Sequence, residues 1–249
     1  MTVGFARARY RTDNYLYLLI EGEDAALVDP GDPEVALAVA ARQGVTPRWI
    51  IHTHGHADHT GGSEALRSRL GARVLGHGAD AGWFAPDEDL AGRGALRLGG
   101  LSLQVHHAPG HTPGSVLLEW RGRLLTGDTL FWGGCGNCRH GGDPRRLAES
   151  LVGVVGRLDG SLEVHPGHDY AEANLPFAIE LVPEAAAARH RLAAVRAARR
   201  SGEEPPPSTL AEERGVNPFL QLREVEALVA LRARRDGWSP ASPRLPVPE

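Results

Sequence analysis

The 249-residue sequence predicts an α/β fold, a sheet domain followed by a helical appendage. Three observations carry that expectation. Short apolar runs alternate with turns through the first two-thirds of the chain. Several of these runs end in a turn holding His or Asp. After about Asp169 the composition becomes rich in Ala and Arg with helical spacing.

Taken in order, "NYLYLLIEG" and "DAALVDPG" read as a hairpin, apolar and aromatic residues bounded by Gly, Asp and Pro. "DPEVALAVAARQG" has helical spacing and a Gly stop. "RWIIHTH" reads as a buried strand that reaches the histidines, and "GGSEALRSRLG" as a helix capped by Ser63. "ARVLGH", "LSLQVHHA", "SVLLEWRG", "RLLTGD" and "LEVHPGH" are further strands, with "DPRRLAESLVGVVGRL" a helix between the last two. Beyond them, "PFAIELVPEAAAARHRLAAVRAARRSG" reads as one long helix. A Pro-rich bend then leads to a helical turn capped by Ser208 or Thr209 ahead of Glu212, and "LREVEALVALRARRDG" closes the helical part.

Bulk properties narrow the function. The length supports a full-sized core. A net charge of −4, with no lysine and no basic stripe, argues against nucleic acid as a partner. "MTVGFARARYRTDNY" lacks the apolar stretch of a signal peptide, and no apolar run is of membrane-spanning length. Two cysteines, Cys135 and Cys138, do not make a disulfide scaffold. The expectation is a cytoplasmic protein with a small-molecule partner and no membrane partner.

"THGHADHTGG" sets His54, His56, Asp58 and His59 within six residues. In an extended segment His54 and His56 share a side, so they suit one metal ion, and Asp58 and His59, after the chain turns, aim at a neighbouring point. "APGHTPGS" adds His111, "LLTGDTLF" adds Asp128 and "VHPGHDY" adds His168, each after a strand-like run. The assignment follows by arithmetic: His54, His56 and His111 at one ion, Asp58, His59 and His168 at a second, and Asp128 between them. Each ion keeps an open position for water. Two divalent ions per chain are expected, zinc foremost, with iron or manganese as alternatives. Their residual positive charge, shared by a bridging hydroxide, is a hydrolase's arrangement, with Asp58 positioning that hydroxide. Asp29, in "VDPG", either orients a ligand histidine or simply forms a turn. The remaining histidines read as packing or surface residues.

His-x-His-x-Asp-His at His54 to His59 resembles the signature of the metallo-β-lactamase-fold superfamily. "TDNYLYLL", "TGDTLFWGGCG", "HPGHDYAEANLPFA" and "STLAEERGVNPF" extend the resemblance, over nearly the whole chain, to glyoxalase II, the hydroxyacylglutathione hydrolases. The resemblance implies an αβ/βα sandwich over residues 1–170 and a helical substrate-covering extension over 171–238; by its composition "SPASPRLPVPE" reads as a disordered tail over 239–249. It implies hydrolysis of S-D-lactoylglutathione, or a related acyl-thiol, to D-lactate and free thiol. Tyr170 matches a family tyrosine that contacts glutathione. After "GGCG", where many family members carry a basic and then an aromatic residue that hold the tripeptide, this chain runs Asn137, Cys138, Arg139, His140. Arg139, or the group Arg232, Arg234 and Arg235, offers guanidinium groups for a carboxylate, although the last three also read as a solvated helix face. The rival implied by the same fold is an iron persulfide dioxygenase using His54, His111 and Asp128.

Overall fold

The computed structural model describes residues 2–182 and 185–239. The tail expected over 239–249 lies, from residue 240 onward, outside the described residues. The fold is an αβ/βα sandwich of two six-stranded sheets. In the first, β1 (Val3–Tyr10), β2 (Asn14–Glu21) and β3 (Asp24–Val28) form an antiparallel meander. β4 (Trp49–Ile51), β5 (Arg73–Gly76) and β6 (Glu88–Asp89) then add in parallel. Parallel neighbours need crossovers, supplied by α1 (Pro33–Arg42), α2 (Ala57–Thr60) and α3 (Ser63–Leu70).

The second sheet starts with the antiparallel strands β7 (Ala95–Leu98), β8 (Leu101–His107), β9 (Val116–Trp120) and β10 (Arg123–Gly127). A small ribbon, β11 (Leu130–Phe131) with β12 (Gly134–Cys135), follows. Helix α4 (Pro144–Gly153) then leads to β13 (Glu163–Pro166), parallel to β10. The C-terminal part holds α5 (Ala171–Leu181), α6 (Ala186–Arg200), the edge strand β14 (Ser208–Thr209), α7 (Leu210–Val216), α8 (Pro218–Gln221) and α9 (Val225–Asp236).

The period of two along β2 explains its unbroken apolar run. Tyr15, Tyr17 and Leu19 face the second sheet in one cluster, and Leu16, Leu18 and Ile20 lie in a second cluster with Ala36 and Val39 of α1 and Leu66 of α3. A strand buried on both faces has no polar side to alternate with. The first cluster also contains Leu210, Val216, Phe219, Leu220 and Leu228, so the C-terminal helices share the core of the sandwich.

Four local readings are corrected. β4 stops at Ile51, short of the histidines, so they ride on a loop. The N-cap of α3 is Gly62, and Ser63 Oγ instead hydrogen-bonds His52 Nε2 at 2.6 Å. The long helix read over 176–202 is two, α5 ending at Leu181 and α6 starting at Ala186. The appendage is also not wholly helical, since β14 pairs with β13. Of the two capping candidates, Thr209 is used, in a capping box with Glu212. β1 escaped the sequence reading because Arg7 and Arg9 occupy inward-pairing positions, where their guanidinium groups cover the Tyr15 ring at 4.7 and 5.1 Å.

His165 on β13 is a buried imidazole with neither ring nitrogen hydrogen-bonded, although the Glu163 carboxylate lies 3.4 Å from Nε2. Burial pushes its pKa down from 6.5 to about 3. The unfolded chain then binds the extra proton between those values, so stability present above pH 6.5 is lost as pH falls. From pH 6.5 to 5 the loss is about 2 kcal/mol. In chemical denaturation, His165→Phe should be less sensitive to this pH step than the parent by about that amount.

Candidate metal centre

The site sits where strands of both sheets end. The loop from β4 into α2 carries His54 and His56, and α2 itself carries Asp58 and His59; the turns after β8, β10 and β13 carry His111, Asp128 and His168. The donor atoms of His54, His56 and His111 all lie within 4.8 Å of one another, as do those of Asp58, His59 and His168. Asp128 stands between the trios, its oxygens 3.5 Å from His111 Nε2, 3.5 Å from His59 Nε2 and 3.4 Å from His168 Nε2.

In four of the five imidazoles the outer nitrogen is hydrogen-bonded and the inner one faces the centre; in His59 the outer nitrogen faces a carboxylate without a hydrogen bond. His111 Nδ1 donates to the Asn137 carbonyl at 2.7 Å, and His56 Nε2 to the His140 carbonyl at 3.0 Å. His168 Nδ1 donates to Asp13 Oδ1 at 2.8 Å, and His59 Nδ1 faces Asp29 Oδ2 at 3.3 Å. His54 Nδ1 lies 3.0 Å from Thr53 Oγ1, which spends its own proton on Asp29 Oδ2 at 2.6 Å and therefore accepts. Carbonyls and carboxylates only accept, so each ring, when neutral, keeps its proton on the outside and turns the lone pair of its inner nitrogen to the centre.

Those lone pairs crowd one another. His56 Nδ1 lies 3.0 Å from His111 Nε2, and His59 Nε2 lies 3.1 Å from His168 Nε2. His54 Nε2 and Asp128 Oδ1 are buried with no hydrogen-bond partner at all. Orphaned acceptors do not gather in an interior without a cation to share. The separations suit one: nitrogen donors about 2.0–2.1 Å from a tetrahedral ion lie roughly 3.4 Å apart. The residues fit metal.

Charge follows the same pattern. Burial opposes ionisation of Asp128, but the positive charges of His168 and His59 outweigh it and hold the carboxyl well below the carboxylate range. Burial pushes His54 and His111 towards the neutral form. It lowers His59 and His168 too, yet Asp128 and neighbouring carboxylates outweigh it and raise both, His168 to about 11. The carboxylates therefore favour positive charge at this point in space.

Beside the centre is a cavity of about 320 Å³, with Phe131, Asn137, Arg139, Tyr170, Arg232 and Arg235 in its lining. Tyr170 stacks on His168, ring centroids 4.8 Å apart, and meets Phe131 edge-on at 5.0 Å. Arg139 is exposed and donates to the Asp236 carbonyl at 2.9 Å. The solvated-face reading of the C-terminal arginines suits only Arg234. Arg232 is buried and donates to the Cys135 carbonyl at 2.9 Å, and Arg235 is half-buried in the cavity wall. Burial pushes the Cys135 and Cys138 thiols up, to about 11 and about 12, so the C-x-x-C pair is not activated.

Several residues essential to this geometry were assigned no role from the sequence, although all but Asp80 lie in segments that carry the family resemblance. Asp13 anchors His168, and Asn14 Nδ2 donates to Asp58 Oδ2 at 2.9 Å. Buried Asp80 accepts from Gly55 N, Thr112 Oγ1 and Gly114 N, tying the loops of His54, His56 and His111 together. Asn217 Nδ2 donates to the Phe131 and Gly134 carbonyls at 3.2 and 2.9 Å, and Glu213 accepts from Gly133 N at 2.8 Å. "AEERGVNPF" thus clamps the ribbon "FWGGC", which lines the cavity.

A family model of the metallo-beta-lactamase superfamily matches residues 10–168, and one of the hydroxyacylglutathione hydrolase C-terminus matches residues 169–238. The chain belongs to the metallo-beta-lactamase superfamily. A hydroxyacylglutathione hydrolase of Anaeromyxobacter dehalogenans is 70% identical over 218 residues, 88% of this chain and 86% of that one. Within the superfamily the chain is therefore a member of the hydroxyacylglutathione hydrolases. Among solved structures, ETHE1 from Myxococcus xanthus matches with a TM-score of 0.73 at 26% identity, covering 95% of this chain and 92% of that one. TTHA1623, solved in a di-iron-bound form, matches with a TM-score of 0.59 at 30% identity, covering 83% and 95%.

Two substitutions test the supporting shell. Asp13→Ala frees the outer nitrogen of His168 and should weaken metal retention about 10- to 100-fold in competition with a chelator. Asn217→Ala leaves two ribbon carbonyls unpaired and should cost about 1–3 kcal/mol in chemical denaturation.

Proposed function

We propose that the chain hydrolyses the thioester of a 2-hydroxyacyl-glutathione, S-D-lactoylglutathione foremost, to D-lactate and free thiol at a centre of two divalent ions. The observation that supports this best is the set of five imidazoles whose inner nitrogens converge around Asp128, four of them hydrogen-bonded through the outer nitrogen. In this reading His54, His56 and His111 would hold one ion, Asp58, His59 and His168 the other, with Asp128 available to either. Zinc suits the donor set, and so do iron and manganese. Such ions supply a Lewis acid for the thioester carbonyl and a water acidic enough to react near neutral pH.

The chain's own residues supply position. Asn14 fixes the Asp58 carboxylate, and Asp29 sets Thr53 and, through it, His54. Glutathione lies over Tyr170, with Arg139 and Arg235 for its carboxylates and Asn137 at the turn between. Residues 1–170 carry the ligands, and 171–238 cover the substrate. No protein nucleophile is required, in keeping with the unactivated cysteines. Among the described residues no helix is long and apolar enough to cross a membrane, and the free thiols suit a cytoplasmic setting. An iron oxygenase using only His54, His111 and Asp128 would leave the anchoring of His56, His59 and His168 without purpose.

Loss of thioester absorbance on mixing metal-loaded protein with S-D-lactoylglutathione tests the reading, and Asp58→Ala should slow turnover at least about a hundredfold. Metal analysis should return two ions per chain; a single iron with oxygen uptake would reject the hydrolase. Arg235→Ala should raise KM about tenfold or more with kcat little changed, as expected for a lost charge-assisted contact.

A further inference from the structure

Tyr170 stands against His168 of one trio. Trp83 stands against His56 of the other, ring centroids 5.5 Å apart. The indole is 47% exposed, in company among the described residues only with Val3, Val182 and Leu222 as large apolar side chains so open to solvent. It is nonetheless held firmly. Its backbone N–H donates to the Asp80 carbonyl at 2.9 Å. Its ring is seated against Gly55 and Gly141, where an added Cβ would come within 2.6 Å of Cε3 and 2.8 Å of Cζ2. The Asp80 carboxylate in turn ties together the loops that carry His54, His56 and His111, so the indole is fixed relative to those ligands.

A rigid, half-exposed aromatic face beside a reactive centre is a contact surface for an apolar group. The substrate has two arms. The polar arm, with its carboxylates, belongs with the arginines of the cavity beside Tyr170. The acyl arm is left with the Trp83 flank. The geometry points to Trp83 as the specificity-determining residue for the acyl half: it contacts the substituent on the hydroxyl-bearing carbon and favours apolar or aromatic groups there. This rests on the thioester hydrolase reading.

The test compares metal-loaded parent, Trp83→Ala and Trp83→Phe on S-lactoylglutathione and S-mandeloylglutathione, which differ in carrying methyl or phenyl at that carbon. The ratio of kcat/KM for mandeloyl over lactoyl should fall about tenfold in Trp83→Ala and stay within about twofold in Trp83→Phe. Calorimetric affinity for free mandelate should weaken in parallel. Hydrolysis of both esters with the ratio and mandelate affinity indifferent to Trp83→Ala overturns the acyl wall and leaves the hydrolase intact. Hydrolysis of neither ester, with mandelate binding still dependent on Trp83, rejects the thioester reading and supports the wall.

Discussion

An imidazole has two nitrogens and, when neutral, one proton, and the whole site depends on keeping that proton on the outside. Four of the five histidines find a hydrogen-bond acceptor behind them, in a hydroxyl, two backbone carbonyls and the Asp13 carboxylate, and Asp29 stands 3.3 Å behind the fifth. Meeting that demand fixes much of the surrounding backbone. Asp29 adopts a left-handed φ of 50° at the end of β3 while both its oxygens accept from Thr53. The glycines of the Pro-Gly and Gly-Gly-Cys-Gly turns answer to the same crowding. A Cβ at Gly167 would meet Asp128 Oδ1 at 2.4 Å, and one at Gly136 would meet the Asp128 carbonyl at 2.0 Å.

The support reaches outward in layers. Asp80 has no place among the proposed ligands, yet it binds two ligand loops to each other and carries the turn that presents Trp83. Glu213 and Asn217 do the same for the ribbon at the cavity, from helices whose apolar residues belong to the sandwich core. The C-terminal segment is therefore built into the architecture on which the site stands. Its edge strand completes a sheet, and its arginines line the cavity.

How much of this was legible follows from the kind of signal each part leaves. His54, His56, Asp58 and His59 announce themselves because rare donor types are dense over a few residues, and His111, Asp128 and His168 because each follows an apolar run and a tight turn. His54 and His56 come together from the segment beyond the end of β4, outside the paired strand. Asp80 is a common residue type in unremarkable surroundings, and Asp13 and Asn14, though inside the family-like "TDNYLYLL", take their roles from partners far along the chain, 155 positions away for Asp13 and His168. Arg232 looked like one of several surface arginines, since helical spacing did not reveal that β12 would cover it. β1 hid behind its arginines, whose stems do the work of apolar side chains.

The distance between Asp13 and His168 has a consequence for how the protein is made. Tyr15 N–H donates to the Gly167 carbonyl and Asp169 N–H to the Asp13 carbonyl, so the start of β2 is stitched to the segment after β13. Contacts of such long range close late, after the intervening chain has been synthesised and ordered. On the ribosome, His54, His56 and His111 can come together while the partner of Asp58 and His59 is still untranslated. The nascent chain thus gathers one trio of donors before the other, and its core closes only when the C-terminal helices, made last, add their apolar side chains to it.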